Sequence, residues 1–148
     1  MSFEAVRQIV ETRFFNAYSP TNAKAHGAVA FVEGRDIVQP TKSLTSSGTP
    51  WMVMSVVDGG SRVRAFNKGM RKTSGFVRFT LFVERGAGTK VLREIADYVD
   101  DIMGFQGGVD STGNAGNLYT QVGQLKQLVD DENGYLKYVI DFDYDYYE

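Results

Sequence analysis

Apolar residues recur at helical spacing from the start of the chain, where Phe3, Val6, Val10 and Phe14 form one stripe, widened by Ile9 and Ala17. Arg7, Glu11 and Thr12 turn outward, so the pattern predicts an amphipathic helix over residues 3–18. Ser2 can cap its first turn, and Glu4 stands where the helix dipole favours an anion. Ser19-Pro20-Thr21-Asn22 ends the helix, residues 28–32 read as a short strand, and Gly34 marks a turn. Residues 51–57 are apolar on both sides, with Trp51, Val53 and Val57 opposite Met52, Met54 and Val56, as in a strand buried on both faces. Asp58-Gly59-Gly60-Ser61 then predicts a tight turn into a second hairpin strand over residues 62–66.

Strict alternation returns over residues 76–83, where Val77, Phe79, Leu81 and Val83 share one face and Arg78 and Thr80 the other. Arg85-Gly86-Ala87-Gly88-Thr89-Lys90 leads from that strand into a helix ending at Met103, with Thr89 as the expected cap. The helix buries Val91 or Leu92, Ile95, Val99 and Ile102, and exposes Lys90, Arg93, Glu94, Asp97, Asp100 and Asp101. Asp100 and Asp101 lie at its negative end, an unfavourable place unless a cation is near. Residues 118–129 read as one strand, 130–134 as a hairpin turn and 135–147 as a long closing strand. On that last strand Leu136, Tyr138, Ile140, Phe142, Tyr144 and Tyr146 share one face, while Lys137, Val139, Asp141, Asp143 and Asp145 share the other.

Two stretches lack periodicity. Residues 41–49, which include Leu44, are polar and read as a long surface loop between Pro40 and Pro50. Residues 104–117, which include Phe105, hold five glycines and too little apolar content to pack alone. The elements together predict an α+β fold, a mostly antiparallel sheet with an N-terminal helix and a second helix packed against it.

Composition narrows the function classes. A chain of 148 residues with 43% apolar content supplies one core, so residues 1–148 are read as a single domain. The 16 Lys and Arg against 18 Asp and Glu lack the positive field on which non-specific nucleic-acid binding relies. With 0 Cys, disulfides, thiolate metal sites and a cysteine nucleophile are excluded. The absence of a basic-then-apolar leader and of a bilayer-length apolar run predicts neither export by signal peptide nor membrane spanning.

Gly86-Ala87-Gly88-Thr89-Lys90 is shorter than a P-loop and reversed in its last pair, and it lacks the third glycine of a dinucleotide fingerprint. It reads as a tight corner rather than a phosphate cradle. Asp141, Asp143 and Asp145 alternate along one strand about 7 Å apart, too far for all three to hold a single ion. They read either as a solvated face or as an acidic surface toward a basic partner or a DNA channel. Arg62, Arg64, Lys68, Arg71 and Lys72 form a complementary basic cluster. His26, the single histidine, has no second base or ligand beside it and reads as a surface or capping residue. No nucleophile has a partner base, so no enzyme and no cofactor are expected. Most aromatics sit at core periodicity, and Phe105, Tyr119, Tyr146 and Tyr147 read as the ones free to serve as contact residues.

Several segments in a fixed order carry a resemblance: the N-terminal helix, Phe31-Val32-Glu33-Gly34 before a Pro-flanked polar loop, and Pro50-Trp51-Met52-Val53-Met54-Ser55-Val56. Gly75-Phe76-Val77-Arg78-Phe79-Thr80-Leu81-Phe82-Val83, the Gly86-Ala87-Gly88-Thr89 turn, the helix to Met103 and the closing strand complete it. Together they resemble the tail terminator, or tail completion, proteins of long-tailed bacteriophages over nearly the whole chain. The resemblance implies a small subunit, a mostly antiparallel sheet with helices against it, forming a six-membered ring without catalysis. Such a ring caps the tail tube, stops tube polymerisation and offers the surface for head attachment. Its implied partners are other copies of itself, the tail tube protein and a head-tail connector or head-completion protein, with DNA only as cargo. The implied location is the neck of the virion, after assembly in the host cytoplasm.

Head-to-tail ring contacts need two different patches on each subunit. The candidates are Arg62, Arg64, Arg71 and Lys72 on one side and Asp141, Asp143 and Asp145 on the other, with Leu44 and Phe105 in the two loops. Two alternatives remain: another neck component, such as a head-closure or head-tail joining protein, and a small domain binding a phosphate ligand at the Gly86 turn.

Overall fold

The computed structural model describes residues 2–33, 49–63, 71–84, 88–104, 118–127 and 135–147. Helix α1 (Ser2–Ala17) leads through a 3-10 turn (Ala23–Ala25) into β1 (Val29–Val32), then β2 (Trp51–Val63) and β3 (Arg71–Glu84). Helix α2 (Gly88–Met103), β4 (Leu118–Thr120), β5 (Gln124–Gln127) and β6 (Tyr135–Tyr147) follow. The strands form one 6-stranded sheet in the order β1-β2-β3-β6-β4, with β5 also on β6. Only β1 against β2 is parallel, and the other pairings are antiparallel. The α+β fold with a mostly antiparallel sheet and an N-terminal helix is therefore the fold of this chain.

Strand β6 organises the sheet. One of its edges is taken along its full length by β3, from Lys72 opposite Tyr147 to Glu84 opposite Tyr135. The other edge is shared by β4, paired near Tyr144 to Tyr146, and β5, paired from Tyr138 to Asp141. The expected single strand over residues 118–129 is thus two strands separated by Gln121 to Gly123. The break has a tertiary cause: the Gly123 amide donates to Asp100 Oδ1 at 3.0 Å instead of to a strand neighbour. A Cβ at Gly123 would come within 2.7 Å of Ile140 Cδ1 and 2.8 Å of Phe142 Cε1, so only glycine lets this segment lie against the sheet.

A second correction concerns Asp58-Gly59-Gly60-Ser61. These residues continue β2 rather than turning, and the register with β3 shifts between Asp58 and Gly60. Glycine and aspartate serve a β-bulge as well as a turn, and pairing with β3 decides between them here. Of the expected short strand over residues 62–66, Arg62 and Val63 are the end of one long strand and residues 64–66 lie outside the described residues, and β3 begins at Arg71 rather than near residue 76.

Both helices pack on one sheet face. Val6, Val10 and Phe14 of α1 and Leu92, Ile95, Val99 and Met103 of α2 join Met52, Met54, Val77, Phe79, Leu81, Ile140, Phe142 and Tyr144 in one core. Each such side chain contributes roughly 1.5–3 kcal/mol on burial. The alternation of β3 and β6 thus presents its apolar set to the helices. Phe3 departs from the α1 stripe and is 38% exposed. Because α2 begins at Gly88, Thr89 lies inside its first turn and does not cap it.

Helix ends are tied by residues from elsewhere in the chain. The Tyr98 hydroxyl of α2 accepts the Ser19 amide at 3.0 Å and donates to the Ala17 carbonyl at 3.3 Å, closing the end of α1. Tyr18 donates to the Ala28 carbonyl, and burial pushes its hydroxyl pKa up to about 12. At the end of α2, Lys24 stands 3.7 Å from Asp101, the cation that its position calls for. His26 terminates the 3-10 turn in the left-handed region, φ 52°, and its Nε2 lies 2.8 Å from Glu94 Oε2. That hydrogen bond holds the Glu94 carboxyl below its ordinary value.

Candidate functional site on the second sheet face

The face turned away from α1 and α2 carries the candidate charges. Alternation along β6 brings Asp141, Asp143 and Asp145 here, and the register with β3 sets Arg78, Phe76 and Ser74 respectively beside them. Arg78 grips Asp141 with both ends of its fork, Nε to Oδ1 at 2.8 Å and a terminal nitrogen to Oδ2 at 3.0 Å. Planar guanidinium and carboxylate match in this geometry, and the bond raises the Arg78 pKa. The Arg78 guanidinium also lies 5.2 Å from the centre of the Phe76 ring.

Asp145 accepts from Ser74 Oγ at 2.6 Å and lies 3.3 Å from Lys72 Nζ. Asp143, between them, is exposed. The two candidate patches therefore meet within one subunit: Lys72 and Asp145 belong to adjacent strands and pair with each other. Arg62 stands opposite Lys72, and Arg71 opposite Val63, at the far end of the β2–β3 pair. Arg64, Lys68, Leu44 and Phe105 lie outside the described residues, as do residues 85–87 of the glycine turn.

Aromatic groups flank the charged band on both sides. Toward β1, Trp51 stacks on Phe82 at 3.9 Å with 4° between planes, and Phe31 meets Trp51 edge-on. Lys137 Nζ sits 5.6 Å from the Phe82 ring centre. Toward β4, Tyr119 and Tyr147 meet edge-on at 6.0 Å, and Tyr119 is 45% exposed. Arg78 and Ser74 are the partners that sequence reasoning missed, because which residue faces Asp141 or Asp145 depends on the β3–β6 register. The only local sign was the shared parity of Arg78 and Thr80.

The band gives binding chemistry. A partly exposed arginine held by Asp141, the exposed carboxylate of Asp143 and two tyrosines form a mixed polar and aromatic surface of the kind found at protein interfaces. No protein-family model and no curated protein matches the chain. Nine chains of solved structures do match. One of them, known by a serial designation alone, superposes with a TM-score of 0.62 at 14% identity, covering 95% of this chain and 94% of that one. This likeness concerns the fold. Among the described residues no helix is long and apolar enough to cross a membrane.

Proposed function

We propose that this chain is a tail terminator subunit of a long-tailed bacteriophage. Copies of it form a six-membered ring that caps the tail tube, ends tube polymerisation and presents the surface for head attachment. The observation that carries the reading is the ordered, nearly full-length resemblance of the segments from the N-terminal helix to the closing strand, in a chain whose fold is the one that family implies. The mixed charged and aromatic sheet face supports it as a contact surface. In this reading the ring belongs to the virion neck, and its partners are further copies, the tube protein and a connector or head-completion protein. In the same reading the face carrying Asp141, Asp143 and Asp145 turns to the lumen, and the exposed Asp143 supplies the negative charge that keeps passing DNA from adhering, since Arg78 and Lys72 already answer Asp141 and Asp145.

Electron microscopy of the purified protein, alone and with tails, tests the proposal. A six-fold ring at one tail end is the expected result. A particle of another symmetry, or one that ignores the tube protein and binds the head side, favours a different neck component. Carboxylates on the outer rim of the ring would remove the lumen assignment. Changing Arg62 and Arg64 to Glu is expected to weaken assembly at low salt, and unchanged assembly would remove their role.

A further inference from the structure

The sheet ends differently at its two sides. At the β1 end the Val29 amide donates to the Pro50 carbonyl at 3.3 Å and the Glu33 amide to the Met54 carbonyl at 2.9 Å, so residues of this parity bond β2. Ala28 turns the other way and is served by its own chain. Its amide donates to the Ala25 carbonyl at 2.9 Å, and its carbonyl accepts from the Tyr18 hydroxyl.

At the opposite end the edge is open along β5. The Gln121 amide donates to the Asp143 carbonyl at 2.9 Å, which fixes the side of β6 to which its odd-numbered backbone groups point. Backbone direction alternates along a strand, so Val139 and Asp141 point the same way, and they stand opposite Lys126 and Gln124. Gln124 and Lys126 therefore bond β6, and the amides and carbonyls of Leu125 and Gln127 point away from the sheet. Among the described residues nothing pairs with this outer edge. Val122, just before β5, is 49% exposed and adds an apolar group beside it.

The side chains of β5 alternate as well. Leu125, opposite Ile140, packs partly buried against the helix-side core. Lys126, opposite Val139, is exposed on the charged face, and no carboxylate among the described residues pairs with it. Two copies joined antiparallel through Leu125 against Gln127 would set Lys126 beside Lys126, a like-charge pair that disfavours a second copy as the occupant.

We propose that the β5 edge docks an extended segment of a partner protein, added as a further antiparallel strand, with an acidic residue opposite Lys126 and an apolar residue opposite Leu125. The antiparallel sense continues that of β4 and β5 on β6. Main-chain bonds to Leu125 and Gln127 supply the affinity, and the two side-chain contacts select the sequence. This goes beyond the ring reading and does not rest on it.

Amide hydrogen exchange read by nuclear magnetic resonance on the full chain tests the proposal. In the free protein the Leu125 and Gln127 amides exchange faster than those of Gln124 and Lys126. The probe is the peptide acetyl-Thr-Val-Glu-Val-Thr-amide, which at saturation slows exchange at Leu125 and Gln127 about tenfold or more. The same peptide methylated at both Val amides loses the donors that face β5 and gives no protection. Replacing its Glu by Lys weakens binding about threefold, and Lys126→Glu reverses that preference. Gln127→Pro takes away an outward donor and no bond to β6, so it abolishes peptide binding with circular dichroism unchanged. Leu125 and Gln127 amides already protected in the free monomer overturn the proposal, as does protection that rises with protein concentration, which would put a second copy on the edge. Absence of protection by the peptide, or equal protection by its methylated form, overturns it too.

Discussion

Gly75 lies where the backbone of β2 and a ring of β6 both close on β3. A Cβ there would stand 2.2 Å from the Val57 carbonyl oxygen and 2.8 Å from the Tyr144 hydroxyl. Neither neighbour yields easily, since one is backbone in a paired strand and the other is committed to Asp58. Burial, helped by the bond to Asp58, raises the Tyr144 pKa and keeps its proton in place. Gly75→Ala is therefore expected to cost about 3 kcal/mol through overpacking, measured as a lower midpoint in chemical denaturation. An unchanged midpoint would show that the strands can part there at little cost. None of this crowding is legible locally, because Val57 and Tyr144 become neighbours only through the strand order.

At the level of elements, α1 depends on α2 for its ending. Tyr98→Phe removes the hydroxyl that serves Ser19 and Ala17, and it should lower stability by about 1 kcal/mol and the melting temperature by about 3 °C. Thermal unfolding followed by circular dichroism reads this, and a melting curve superposable on that of the unmodified chain would contradict it. The elements differ in how far sequence alone reveals them. Helix α2 and strand β6 were legible because their periodicities are clean, Leu92, Ile95 and Val99 at one spacing and Tyr138, Ile140, Phe142 and Tyr144 at the other, although Met103 rather than the expected Ile102 is the fully buried residue at the helix end. The bulge at Asp58 and Gly60 and the break at Gly123 were not, since pairing with β3 in one case and the Asp100 side chain in the other overrides the local signal. The candidate charges were visible as residues, but the Arg78–Asp141 and Lys72–Asp145 pairs were not, for each joins strands far apart in the chain.

Across the whole molecule the two faces of one sheet divide the work. The helix side holds the continuous apolar core, and the other side carries salt bridges flanked by aromatic groups. The Trp51–Phe82 stack is the main buried apolar feature of that second side, at the β1 end of the sheet. Trp51 is the chain's 1 Trp and is 1% exposed, so the protein contains a built-in fluorophore that reports on that end. Its emission should be blue in the native state and move to the red when the β1–β2–β3 corner opens to water. Recorded beside far-ultraviolet circular dichroism during denaturation, it distinguishes two modes of unfolding. Coincident curves mean that the sheet melts as a unit, whereas an earlier optical shift means that the parallel edge peels away while β3 and β6 are still joined.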